Sequence, residues 1–367
     1  MKTIIFAGGG TLGHVMPALS VINVLKSSYN IIFITDKKCQ KAIPNDVQIK
    51  IINVSGLTRK VSFKNITAIL KYMIAKEEMK KLIRKLKPDL VIGMGGYVSA
   101  PVIRAAIKCN IKTIIHEQNA VIGLVNKYFQ SKVDKLLLSF PMDNGELVGN
   151  PRITDYYERH LKSKNDDKTI DILFVGGSGG AKIINDFVIT NQNKFEKNGY
   201  KVKLITGKKY YKEALSQIKS KNIEVIDFAD DLFAEFKKTK ILVSRSGATT
   251  IAEALGSKTL TIFIPSKNVV GNHQFMNAVF YKNMGVCELV EEENLNQELL
   301  FKIQELLQNK PKRIKMLSEI SNIPCLDAKY IFANQIIKLI GDCDGDSENN
   351  WNYKEWKARR FQWKFIF

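Results

Sequence analysis

His14 closes GGGTLGH (8–14), a glycine turn that follows an apolar run at 2–8 and opens a helix-like segment. A neutral imidazole placed there can take a proton from a hydroxyl, and the positive end of a helix disfavours its charged form. A plain capping histidine is the alternative. Two further glycine turns, GMGGY (93–97) and GGSGGA (176–181), also follow apolar runs. Glycine lets the backbone approach a ligand and helix-start amides favour phosphate, so three such turns point to a polyanionic ligand. None has the GxxxxGK[ST] form of a nucleotide-hydrolysing loop. The first also lacks a proper GxGxxG, and although Asp36 ends the second apolar run, a nicotinamide site is a poor fit. HEQN (116–119) sets four polar residues at a strand end, a costly group for a core and a natural one for a site. SRSGATTIAE (244–253) repeats the theme: its amides and hydroxyls suit a phosphate, and Glu253 suits vicinal ribose hydroxyls.

The elements that must hold these residues alternate. Runs at 2–8, 30–35, 47–54, 89–94 and 112–117 are short, apolar and β-branched, and read as buried parallel strands. Helical patterns at 14–28 and 100–110 lie between them. After a hydrophilic stretch at 161–169 the series restarts with 171–187, 201–207, 223–228, 240–247 and 260–266. The fold expected is α/β, two Rossmann-like domains facing a cleft.

The 367-residue chain carries 56 Lys and Arg against 36 Asp and Glu, a formal charge of +20 that calls for an anionic partner. Residues 1–150 hold 22 basic and nine acidic side chains, so most of the excess lies in the first half. Within it, Arg59–Lys87 has ten basic and two acidic residues, with Ile66, Ile69, Leu70, Met73 and Ile74 at helical spacing. That describes a basic amphipathic helix, fit either for a membrane surface or for packing on the sheet. No apolar run is long enough to span a bilayer, and the first residues do not read as a signal peptide. Five scattered cysteines (Cys39, Cys109, Cys287, Cys325, Cys343) offer no CxxC pair, so neither a structural zinc site nor a disulfide framework is expected, and a reducing cytoplasm fits. The last residues, from Trp351, gather three tryptophans among basic side chains behind an acidic stretch, and read as a tail outside the core.

Taken in order, GGGTLGHVMPAL, GMGGYVSAP, IHEQNAVIGLVNK, VGNP, VGGSGGAKIIN, FADDL, SRSGATTIAE and NHQFMNA (272–278) resemble the blocks of the MurG family, over about residues 3 to 341. The resemblance implies a glycosyltransferase of the B type that needs no metal or cofactor. It implies transfer of N-acetylglucosamine (GlcNAc) from UDP-GlcNAc to undecaprenyl-linked lipid I, giving lipid II. A transferase for another lipid-linked acceptor and a UDP-GlcNAc 2-epimerase are the alternatives. Domains of 1–151 and 152–326 follow, with 327–341 returning to the first and 342–367 as the tail. The implied partners are UDP-GlcNAc, lipid I and an anionic membrane surface at the cytoplasmic face, and not nucleic acid.

The resemblance also assigns residues. His14 is the implied base, with Glu117 as a lesser candidate. The donor side would comprise Thr11, Leu12, Gly13, Asn119, Arg152, Ser178, Ala229, Arg245, Ala248, Thr249, Thr250, Ile251, Ala252, Glu253, Gln274 and Asn277. Among these, Asn119, Gln274 and Asn277 would meet GlcNAc, Ser178 the diphosphate and Glu253 the ribose. Gly95, Gly96, Tyr97 and His116 would belong to the acceptor side. Departures stand at Leu12, where the family often has Gly, at Arg152, one place early in GNPRI, and at Gly179, Thr249 and His273.

Overall fold

A computed structural model describes residues 1–56, 63–163, 167–177 and 179–342. Ser178, the start of the Arg59–Lys87 segment, Cys343 and the aromatic tail lie outside the described residues. The first half runs β1 (Thr3–Ala7), α1 (Leu12–Leu25), β2 (Asn30–Thr35), β3 (Gln48–Ile51), α2 (Phe63–Leu86), β4 (Leu90–Gly93) and α3 (Gly96–Lys108). It continues with β5 (Lys112–Glu117), α4 (Leu124–Phe129), β6 (Lys135–Leu138), β7 (Glu146–Leu147) and α5 (Arg152–Lys162).

The second half opens with β8 (Ile170–Val175), α6 (Lys182–Lys197), β9 (Val202–Ile205), α7 (Tyr211–Gln217), β10 (Ile223–Ile226) and α8 (Leu232–Lys238). Then come β11 (Thr239–Ser244), α9 (Ala248–Gly256), β12 (Leu260–Phe263), α10 (His273–Asn283) and β13 (Glu288–Leu289). Three helices close the series: α11 (Leu295–Gln308), α12 (Lys310–Ser321) and α13 (Ala328–Ile340).

Both sheets are parallel. Their strand orders are β3-β2-β1-β4-β5-β6-β7 and β10-β9-β8-β11-β12-β13. In each, the order reverses beside the first strand, between β1 and β4 and between β8 and β11. Open α/β sheets bind ligands at such reversal points, outside the strand C-termini. The loops there are GGGTLGH, GMGGY, GGSGGA and SRSG, so topology alone gathers the four segments richest in glycine and hydroxyls.

Helices cover both faces of each sheet, and the strands are buried along nearly their whole length, as β-branched apolar runs require. Phe6, Phe33 and Ile92 centre one core, and Phe174, Phe187 and Phe195 another. Among the described residues the chain passes between domains twice. Val148 belongs to the first core while Ile153 and Tyr156 of α5 pack with the second domain. In return, Cys325 and Ala328 pack with the second domain while Phe332, Ala333, Ile336 and Ile340 of α13 pack with the first.

Some elements differ from the sequence expectation. β3 is shorter than 47–54 because its edge position leaves Gln48, Ile49 and Lys50 exposed. α1 begins at Leu12, two residues early, which puts His14 in its first turn.

Candidate active site between the two domains

His14 sits on α1 with its ring against the second glycine turn. Its Nδ1 is 3.1 Å from the Gly9 carbonyl and 3.1 Å from Thr11 Oγ1. A carbonyl only accepts, so Nδ1 carries the proton and Nε2 is left as the basic nitrogen. Burial lowers the pKa of the ring, opposed by the nearby Glu117 carboxylate and the Gly9 bond, so it is neutral near pH 7. Gly95 and Gly96 make this possible. A Cβ on Gly95 would lie 3.0 Å from His14 Cδ2, and one on Gly96 2.9 Å from the Gly9 carbonyl. Both adopt positive φ, +93° and +74°, which glycine holds without strain.

Beside them Tyr97 donates from its hydroxyl to Asp36 at 2.6 Å, and the Cys39 amide donates to the same carboxylate. These bonds hold the Asp36 pKa below its usual value, although burial acts against them. Asp36 is therefore committed to the first domain's own loops, which removes it as a ribose acid of a nicotinamide site.

HEQN is organised by Glu117. Its carboxylate accepts from the Asn119 amide (3.0 Å) and side chain (3.2 Å), the Gly123 amide (2.8 Å) and Asn126 Nδ2 (2.9 Å). Asn126 was not singled out from sequence, since nothing local distinguishes it from a surface asparagine. Gln118 donates to the Met94 carbonyl at 2.9 Å. The polar run is thus largely buried, and the side chains of Glu117 and Gln118 are satisfied by neighbouring loops rather than by solvent.

The second domain contributes α9, whose first residues Ala248, Thr249, Thr250 and Ile251 follow Gly247 at the helix start. Amides in the first turn of a helix lack a helical partner and attract anions; here these are the amides of Ala248, Thr249 and Thr250, since that of Ile251 donates to the Gly247 carbonyl at 3.0 Å. Ala252 is buried behind them. Glu253, only 8% exposed, accepts from Arg152 Nε at 2.8 Å. Burial raises its pKa, and Arg152 opposes the rise. Arg152, though one place early in the chain, therefore reaches α9 from α5. Arg245 pairs with Glu292 at 2.6 Å and donates to the Ile264 carbonyl at 3.1 Å. Gln274 accepts from the Ser266 amide through its side-chain carbonyl (2.9 Å), which leaves the amide NH2 as its donor end. Ala229 is half-buried against the core below Ile226.

The domains touch directly. Thr249 Oγ1 donates to the Gly13 carbonyl at 3.4 Å, while Thr11 and Leu12 lie at the same edge, Thr11 exposed and Leu12 half-buried. Asn277 Oδ1 accepts from the Ala120 amide at 2.8 Å. Its Nδ2 donates to Asn119 Oδ1 at 3.2 Å and to the Ser246 carbonyl at 3.3 Å.

A model of the glycosyltransferase family 28 N-terminal domain matches residues 4–138, and one of the C-terminal domain matches residues 171–329. A protein of Alkaliphilus oremlandii named UDP-N-acetylglucosamine--N-acetylmuramyl-(pentapeptide) pyrophosphoryl-undecaprenol N-acetylglucosamine transferase is 35% identical, covering 83% of this chain and 90% of its own. The chain belongs to the MurG family of glycosyltransferases. Its fold is that of Acinetobacter baumannii MurG, with a TM-score of 0.72 at 24% identity over 92% of this chain and all of that one. A UDP-GlcNAc 2-epimerase of Neisseria meningitidis shares the architecture, with a TM-score of 0.63 at 15% identity over 92% of this chain and 100% of its own. Fold alone therefore does not separate transferase from epimerase, whereas the family match does.

Within this MurG-family cleft, two expected ligand residues are engaged elsewhere. His116 is fully buried, hydrogen-bonded through Nε2 to Ser139 Oγ at 3.1 Å and edge-on to Phe332 at 5.2 Å. Burial pushes its pKa down to about 3. It is a core histidine of the first domain. Asn277 is likewise fully buried, with both amide atoms bonded across the cleft rather than offered to a sugar. Glu117, with both oxygens accepting from its own loop, serves as the organiser of HEQN rather than as a free base.

Proposed function

We propose that the protein is an inverting transferase that moves GlcNAc from UDP-GlcNAc to the C4 hydroxyl of the muramyl sugar of undecaprenyl-linked lipid I, giving lipid II and UDP. The named relatives support the reaction class. The observation that carries the mechanism is the approach of Gly13, next to His14, to Thr249 at the start of α9. Base and anion site then lie on the facing edges of the two domains. The acceptor oxygen bonds to the anomeric carbon as the bond from that carbon to the diphosphate breaks, and the hydroxyl proton passes to His14 Nε2. The departing charge falls on the diphosphate, where the α9 amides stabilise it. Neither nearby carboxylate is placed as a nucleophile, since Glu117 is held by its loop and Glu253 by Arg152, so a single inverting displacement is the reading. Glu253 takes the ribose hydroxyls and Gln274 the sugar hydroxyls, with Ala229 and Arg245 on the uridine diphosphate side.

The docking surface is the α2 face, in our reading. Ala68, Ala75, Met79 and Ile83 point inward, while Ile66, Ile69, Leu70, Met73 and Ile74 are exposed, the last at 69%. Over residues 66–75 bulky apolar side chains lie outside and alanines inside, the inverse of a helix packed on a sheet. Leu124 and Tyr128 of α4 are exposed as well, and Arg104 donates to the Tyr128 hydroxyl at 2.8 Å. An apolar patch rimmed by cations suits an anionic bilayer, where a lipid-linked acceptor resides. No helix among the described residues is long and apolar enough to cross a membrane.

Incubation with UDP-GlcNAc and synthetic lipid I tests the reading. Lipid II with stoichiometric UDP is expected. UDP without lipid II, or epimerised sugar nucleotide, would redirect it to another acceptor or to the epimerase.

A further inference from the structure

Asp155, on α5 one turn beyond Arg152, is shared by three elements. Its Oδ2 accepts from Ser20 Oγ of α1 at 2.5 Å and from Arg152 Nη1 at 3.3 Å, while its Oδ1 accepts from Lys329 Nζ of α13 at 3.2 Å. Lys329 is itself buried and also donates to Glu158 at 2.6 Å. Arg152 continues the series, resting over the Tyr156 ring at 4.9 Å and donating to Glu253 at 2.8 Å. A guanidinium has a fixed fork, so the carboxylate on its Nη1 side sets where its Nε side points. Ser20 lies on the same helix as His14, and α1 belongs to the first domain.

We propose that Asp155 is a positioning residue for the donor site: it holds Arg152 in the orientation that fixes Glu253, and it ties that pair to the helix carrying His14. Asp155 touches no substrate in this role. The inference rests on the donor-side reading of Arg152 and Glu253 given above.

The test is steady-state kinetics of the full chain carrying Asp155→Asn, alone and together with Arg152→Lys. In the wild-type background the donor KM is expected to rise about tenfold, the worth of one charge-assisted hydrogen bond. In the Arg152→Lys background the same change is expected to raise it less than about twofold, because residues acting through one another are non-additive. A general loss of folding would instead lower activity equally in both backgrounds, and that result overturns the proposal, as does an unchanged donor KM in the first. If Asp155→Asn does not fold, Ser20→Ala removes one ligand of the same oxygen and is expected to raise donor KM about threefold, again only when Arg152 is present; no change there overturns the proposal too. Should Arg152→Lys and Glu253→Gln both leave donor KM untouched while Asp155→Asn raises it, the donor reading fails and Asp155 acts by another route.

Discussion

Asn277 and Asn119, 158 residues apart and in different domains, share a hydrogen bond of 3.2 Å, and the Asn277 carbonyl takes the amide of Ala120 at 2.8 Å. A buried amide side chain satisfied on both atoms is a join, since breaking either bond strands a polar group away from water. The edge of the cleft is therefore closed by side chains that the family motifs suggest for sugar.

Replacing Asn277 with Ala should loosen this join. We expect domain separation, read by small-angle scattering or by a fluorophore pair across the cleft, together with a loss of about 1–3 kcal/mol in stability to denaturant. A variant as compact and as stable as the wild type would show that the bonds are incidental.

His14→Ala should lower turnover by about 10²–10⁴-fold, the usual worth of a positioned base, with UDP affinity little changed. Turnover and calorimetric binding, measured on the same preparation, decide it. Retained turnover would remove His14 from the chemistry.

Glu253→Ala should weaken UDP binding by about 1.5–3 kcal/mol, the range for a hydrogen bond to a charged group. The grip requires the ionised carboxylate, and burial holds its pKa above the ordinary value. Affinity for UDP should therefore fall on acidification and begin to fall at higher pH than a free glutamate would dictate. A pH-independent affinity, or equal binding by the mutant, contradicts the ribose assignment.

Acid should also destabilise the fold through His116. Its pKa is depressed from 6.5 in the free residue to about 3, so the unfolded chain takes up a proton that the native ring refuses. Stability conferred by this group is full above pH 6.5 and is lost as pH falls toward 3, by about 1.4 kcal/mol per unit. Denaturant titrations of His116→Gln should show a shallower acid slope. An unchanged slope would place the proton uptake on other groups.

Vesicles containing phosphatidylglycerol should co-sediment the protein at low salt and release much of it at high salt, because the cationic part of the attraction is screened. Ile69→Glu with Ile74→Glu should abolish sedimentation, whereas truncation after Gly341 should retain it. Binding lost only on truncation would move the anchor to the aromatic tail.

Both sheets and most of their strands were legible because buried parallel strands are short β-branched runs whatever surrounds them. The glycine turns marked the cleft for a similar reason, each being a local signal at a strand end. What could not be read is long-range. The seating of His14 on Gly95 and Gly96 depends on the β1–β4 reversal, and the Arg152–Glu253 pair on α5 packing along α9. Periodicity gave α2 an apolar stripe, yet the same stripe serves burial or exposure. Only the placement of Ala68 and Ala75 beneath it decides. HEQN misled in part: a polar run at a strand end marks a site, but here much of the run is consumed in building the loop.

Gly149 and Cys325 lie at the two places where the chain passes between domains, and a Cβ on Gly149 would fall only 2.3 Å from Cys325 Cβ. The two passages thus abut. Joined at two separate points, a pair of bodies turns only about the line between them; joined at two adjacent points, it turns about a pivot. Away from that pivot the two halves are held together by the Thr249–Gly13 and Asn277–Asn119 bonds, so those contacts, rather than the chain crossings, set how far the cleft stands open.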